Sequence, residues 1–268
     1  MAAHVEGVKV VKKDGYALCH ISDLSTELQV LLRNNLTMIC YGISSASSDK
    51  KMYNYKNTLK EFLARYENKT DYIKKGMIGE LLVHLIINTF FTEYSVASPF
   101  FNLEERSIKK GFDVILTSKA DNTIWITEVK SGELHSKKNA NETTIDLLNT
   151  AKNDLYERLN TENHSLWLNA INDAKCAYDK YSDLKKAVVD ILEQYGDDSI
   201  DSPTGSNQIQ AFLISSLFAS LNDPVIESNI KDRHQLIKSE KGFKAICILS
   251  IQKNTYDKVY QFLKREIA

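Results

Sequence analysis

The chain has 268 residues, 43% of them hydrophobic and only 3 of them proline, so it can bury one sizeable core, or one core and a small lobe. Its 34 basic and 35 acidic residues leave a formal net charge of -1, which excludes the global attraction to a polyanion that a basic domain would have. Cys19, Cys40, Cys176 and Cys247 lack CxxC spacing, and neither an apolar run near ~18 residues nor a charged-then-apolar leader occurs, so the expectation is a cytoplasmic protein with reduced thiols, no zinc site and no membrane span.

Residues 1–51 read as an N-terminal lobe, a candidate partner contact, and residues 52–268 as the main domain. In the lobe, Val8-Lys9-Val10-Val11 and Leu36-Thr37-Met38-Ile39-Cys40-Tyr41-Gly42 read as strands around a helix over 25–33, and the serine-rich stretch 44–48 as a loop. A helix follows over 57–66. The stretch 71–91 carries Ile73, Met77, Leu81, Leu85 and Ile86 at helical spacing, with Glu80 in Gly76-Met77-Ile78-Gly79-Glu80 and His84 one turn later on the same face. Two β-branched and aromatic-rich runs, one beginning at Gly111-Phe112-Asp113 and one ending at Glu128-Val129-Lys130-Ser131-Gly132, flank the polar turn 119–122 and read as a hairpin. Beyond a polar connection at 132–143, residues 144–195 are almost free of Gly and Pro and read as a helical insertion, with apolar spacing at Leu147, Leu148, Leu155 and Leu159. Gly196 and the stretch 202–206 end it. Strands over 210–218 and 243–251, separated by a helix over 224–237, precede a last amphipathic helix over 255–267. Alternating helices and buried strands predict an α/β fold, a mixed central sheet sandwiched by helices.

The hairpin carries the chemistry. With its turn centred between Ala120 and Asp121, Asp113 stands opposite Glu128, Ile115 opposite Ile126 and Thr117 opposite Ile124, while Phe112 and Val129, and Leu116 and Trp125, pair on the reverse face. Both faces are largely apolar, which places the strands inside a covered sheet. Like charges so opposed, roughly 4.5 to 5.5 Å apart at Cβ, destabilise a sheet. A hard divalent cation between them reverses that sign, because Mg²⁺ is bound through one or two carboxylates plus waters and phosphates. Lys130, two residues beyond Glu128, points to the same face.

Asp113 with the Glu128-Val129-Lys130 tripeptide resembles the PD-(D/E)xK nuclease superfamily, as its aspartate and its ExK. Glu80, in a Gly-x-x-Gly-Glu on the preceding helix, is similar to the third acidic residue of that superfamily. In length, order of elements and the GE, GFD and EVKSG segments the chain more specifically resembles the HamA family, the nuclease subunits of the Hachiman anti-phage system. The resemblance implies a restriction-endonuclease-like core and metal-dependent hydrolysis of DNA. It also implies Mg²⁺ or Mn²⁺ held by Asp113, Glu128, the Val129 carbonyl and Glu80, with Lys130 catalytic, and a HamB-like helicase partner that restrains and directs cleavage.

Blander readings accompany each residue. An isolated ExK arises by chance in a chain that is 26% charged. His84 alone on an apolar helix is more often a core residue, Gly76 and Gly79 more often serve packing, and Lys109, Lys110, Lys137 and Lys138 beside the hairpin are either phosphate contacts or solvated charges. The alternative functions are a stand-alone restriction or repair endonuclease, or a non-catalytic nucleic-acid-binding module on a nuclease fold.

Overall fold

Seven strands form one mixed sheet in the computed structural model, which describes residues 4–101, 111–161, 164–178, 182–201 and 205–267. In chain order the strands are β1 (Val8–Lys13), β2 (Tyr16–Ile21), β3 (Tyr94–Val96), β4 (Val114–Ser118), β5 (Ile124–Glu133), β6 (Gln210–Phe218) and β7 (Ala245–Lys253). In space they run β1-β2-β7-β6-β5-β4-β3. The middle four, β2, β7, β6 and β5, are mutually parallel, and antiparallel hairpin partners close each side. β6 and β7 are buried on both faces, as expected of parallel strands under helices.

The helices are α1 (Thr26–Tyr41), the single turn α2 (Ile43–Ala46), α3 (Tyr55–Glu67), α4 (Asp71–Phe90), α5 (Ala140–Asn160), α6 (His164–Ala177), α7 (Asp183–Asp201), α8 (Glu227–Ser239) and α9 (Tyr256–Arg265). Two apolar clusters divide them. Leu28, Leu36, Phe62, Leu82 and Phe262 from α1, α3, α4 and α9 pack on one face of the sheet against Leu116, Ile214 and Leu249. Leu148, Leu155, Trp167, Leu192 and Ile230 from α5 to α8 pack on the other, against Ile115, Ile126, Leu213 and Ile248. The predicted mixed sheet between helical layers is therefore observed.

The segment expected as a lobe, residues 1–51, contributes β1 and β2 to the common sheet, and β2 is hydrogen-bonded to β7. Within it the structure corrects one assignment. Residues 36–42 are the end of α1, not a strand, because Leu28, Leu32, Leu36, Ile39 and Cys40 bury one helical stripe. Gly42, at φ 83, ends the helix by donating its N–H to Met38. The stretch read as a serine loop contains the turn α2, and α7 runs through Gly196, which packs beside Trp167. Residues 202–204 of the predicted break lie outside the described residues.

Candidate active site

The turn fixes the hairpin. The Ser118 N–H donates to the Thr123 carbonyl across it, and Asn122 takes a left-handed conformation at φ 58. The register is the predicted one: Val114 faces Thr127, Ile115 faces Ile126, Leu116 faces Trp125 and Thr117 faces Ile124. Continued by one residue, it sets Asp113 against Glu128. β4 begins only at Val114, so Asp113 substitutes a side chain for the next rung: its Oδ2 accepts the Val129 N–H at 2.7 Å. The Val129 carbonyl, which in an extended strand points to the same neighbour as its N–H, is thereby aimed at Asp113. Phe112 departs from the prediction. It sits ahead of the strand, where alternation no longer holds, and packs with Ile115 on the α5 side, 5.2 Å from the Trp167 ring.

Helix α5 completes the arrangement from above. It starts with a capping box, Asn139 and Glu142 each accepting the other's backbone N–H, and covers β5 and β6 with Leu147, Leu148, Leu155 and Leu159. One turn apart on this helix, Asp154 and Arg158 reach down to β5. Arg158 donates to Glu128 Oε2 at 2.8 Å and to the Gly111 carbonyl, and its guanidinium lies over the Phe112 ring. Lys130 Nζ lies 2.8 Å from Glu128 Oε1 and 2.7 Å from Asp154 Oδ2. Acid and base thus alternate from Asp154 through Lys130 and Glu128 to Arg158, with Asp113 alongside.

Glu128 is only 2% exposed. Burial, and then the neighbouring Asp113 charge, push its carboxyl up from 4.5 to about 7 against the opposing pull of Arg158 and Lys130. Lys130 is driven the other way. Burial draws its ammonium down, but the Glu128 charge and the hydrogen bonds it donates to Asp154 and Glu128 outweigh it and hold the amine protonated above its ordinary range. Glu128 is shielded from water, which strengthens its contacts with Lys130 and Arg158, while the Lys130–Asp154 pair is partly solvated.

The structure brings Asp113, Glu128, Val129 and Lys130 together. Glu80 stands on α4, the helix on the opposite face of the sheet, with its carboxylate 3.9 Å from His84 Nε2. His84 is fully buried, edge-on to Phe100 at 5.9 Å, which is the place of a core residue. Gly79 is a close-approach glycine: a Cβ there would run into Ser131 and Ser216 on β5 and β6, whereas at Gly76 it would meet nothing. Lys138 is bound to Asp146 at 2.5 Å, and Lys137 is exposed. Lys109 and Lys110 lie outside the described residues. Arg158 and Asp154 were not among the predicted residues. Their signal is present, since both flank the apolar stripe of Leu155 and Leu159, but nothing in the sequence says which strand that stripe covers.

Two carboxylates opposed across a hairpin, with a backbone carbonyl aimed the same way, are a donor set that suits a hard divalent cation with water and phosphate completing the shell. Among the described residues no three His, Cys, Asp or Glu side chains converge. A cation would share the Glu128 oxygens with Lys130 and Arg158, or displace one of them.

The fold and this centre define an α/β protein with a half-buried mixed-charge site on an interior hairpin of a mixed sheet. The chain belongs to the HamA family, whose model matches residues 8–267. That membership suggests a part in Hachiman anti-phage defence. No similar curated protein and no similar solved structure was found. Among the described residues no helix is long and apolar enough to cross a membrane.

Proposed function

We propose that this protein is a metal-dependent nuclease that hydrolyses phosphodiester bonds in DNA, on a PD-(D/E)xK-type core. One observation carries the reading: an acidic pair, half-buried Asp113 and buried Glu128, stands opposed on an interior hairpin with Lys130 on the same face, at a cost that a fold without use for it would not retain. Asp113, Glu128 and the Val129 carbonyl would hold Mg²⁺ or Mn²⁺. When bound, the ion supplies Lewis-acid activation of water and stabilises charge on the phosphate. Lys130, kept protonated by Glu128 and Asp154, orients the attacking water or balances charge on the pentacovalent phosphorus. Arg158 holds Glu128 and the Gly111 carbonyl in fixed relation, which keeps the start of β4 against β5. Glu80 enters the set by resemblance alone.

A HamB-like helicase partner that restrains and directs cleavage belongs to the same proposal. The near-neutral chain has no general affinity for DNA and fits an enzyme that is handed its substrate. Residues 1–51 and the helical layer 144–195 are the surfaces proposed to meet it. The test is degradation of plasmid and linear DNA by the purified protein in Mg²⁺ or Mn²⁺ against EDTA, beside Glu128→Gln, with and without the helicase. Metal-dependent cutting lost in the variant supports the nuclease, and its control by the helicase supports the defence role. Absence of cutting in every arm would move the reading to a binding module.

A further inference from the structure

At the other end of the parallel strands a cavity of about 930 Å³ opens between the β1–β2 turn, β3 and the segment joining α8 to β7. Its volume falls within the roughly 300–1,000 Å³ of small-ligand sites. Two kinds of side chain line it. Tyr94 and Trp125 are half-buried, with ring centres 6.1 Å apart, and Phe212 lies 5.9 Å behind Tyr94. Facing them are Lys238, Lys241 and Lys244, all exposed and none in an ion pair with a described residue. Lys238 is in the last turn of α8, where it complements the helix dipole. Lys241 and Lys244 lie beyond the helix, so that role does not account for them. Of the two carboxylates on the wall, Asp14 and Glu93, the second is bound to Lys12 at 2.6 Å. A chain of net charge -1 therefore concentrates cations around an aromatic floor.

We infer that this cavity binds a nucleotide, its base against Tyr94 and Trp125 and its phosphate on Lys241 and Lys244. Aromatic faces accept any base, while ammonium groups track the phosphate, and this combination suits an unpaired nucleotide better than duplex. The site is separate from the acidic pair. Trp125 precedes Glu128 by three positions on β5, roughly 10 Å along the strand, and its side chain packs with the cluster on the opposite face. The inference stands whether or not the acidic pair cleaves DNA.

The shared chemistry, a base with a phosphate, has two sources: a free nucleotide or a single strand. The test uses the full chain in EDTA, so that hydrolysis plays no part. A fluorescein-labelled, 5′-phosphorylated oligothymidylate is titrated by anisotropy, then challenged with thymidine monophosphate, ATP and inorganic phosphate. Of the 2 tryptophans, Trp167→Phe leaves Trp125 alone as a fluorescent reporter of the same cavity. Saturable binding, weakened at least tenfold by Lys241→Glu/Lys244→Glu and accompanied by quenching of Trp125, supports the site. Displacement by the mononucleotides assigns it to free nucleotide, and resistance to them assigns it to a strand. Overturning results are no binding of any probe, binding indifferent to the charge reversal, or inorganic phosphate competing as well as the nucleotides. The exposed lysines carry no core contacts, so the double variant is expected to fold.

Discussion

Glu128→Gln offers the sharpest test of the electrostatics at the acidic pair. Glutamine keeps the shape of the side chain and can still accept from Lys130 or Arg158, but it does not titrate. In the wild-type chain, burial and Asp113 raise the Glu128 carboxyl from 4.5 to about 7. The folded chain thus holds this proton more tightly than the unfolded chain. Its contribution to stability is fully present below 4.5 and is lost as pH rises through 7. At 1.36 kcal/mol per pH unit, the whole effect is about 3 kcal/mol, of which about 2 kcal/mol falls between roughly pH 5.5 and 8.5. Urea denaturation of both proteins in EDTA across that range should show the variant gaining about 2 kcal/mol on the wild type as pH rises. Contributions that do not titrate cancel in this comparison, including any altered hydrogen bonding to Arg158. At the alkaline end, Mg²⁺ should narrow the gap by stabilising wild type alone. A difference that stays flat with pH, or that grows in favour of wild type, would refute the argument.

Other outcomes follow from the same geometry. Lys130→Ala and Asp113→Asn should each lower DNA cleavage about 100-fold or more with unchanged far-ultraviolet circular dichroism; full activity in either would remove the proposed site. Glu80→Gln should cost less than Asp113→Asn, because α4 lies on the other face of the sheet, and an equal loss in the same cleavage assay would draw Glu80 into the working set. Arg158→Ala should cost about 1–3 kcal/mol in denaturation at neutral pH, and much less in a Glu128→Gln background, since the partner charge is then gone; additive costs would mean that the two do not interact. Gly79→Ala should destabilise by about 1–3 kcal/mol through collision with Ser131, while Gly76→Ala, with open space around it, should stabilise by up to about 1 kcal/mol; equal thermal shifts would contradict the close packing of α4 on β5.

Much of this centre was legible because two local rules act on it together. The polar turn at 119–122 pins the register and the pleat fixes the faces, so Asp113, Glu128 and Lys130 could be placed from the sequence. The rule fails where the strand stops, at Phe112. The helix α1 was half hidden, since Leu36 to Tyr41 is as apolar as a strand and its helical spacing shows only when counted from Leu28. β3 is three residues long and was not visible as a strand. Arg158 and Asp154 belong to a different class of omission. Their role depends on α5 docking over β5, a contact set by packing of the whole layer and not by any local pattern.

The parallel pairing of β2 with β7 joins residues 16–21 to 248–253, nearly the full span of the chain. The hairpin of β4 and β5 needs only its own turn and can form early in synthesis, but β6 and β7 arrive after α5, α6 and α7. Until then β5 has an open edge and the β1–β2 hairpin has nothing to pair with, which is the state most exposed to wrong strand partners. Loop-closure entropy makes the last joining slow as well. Assembly of the sheet that supports Glu128 therefore waits for β7, and a chain stalled before Lys253 would carry the acidic hairpin without the framework that holds it in place.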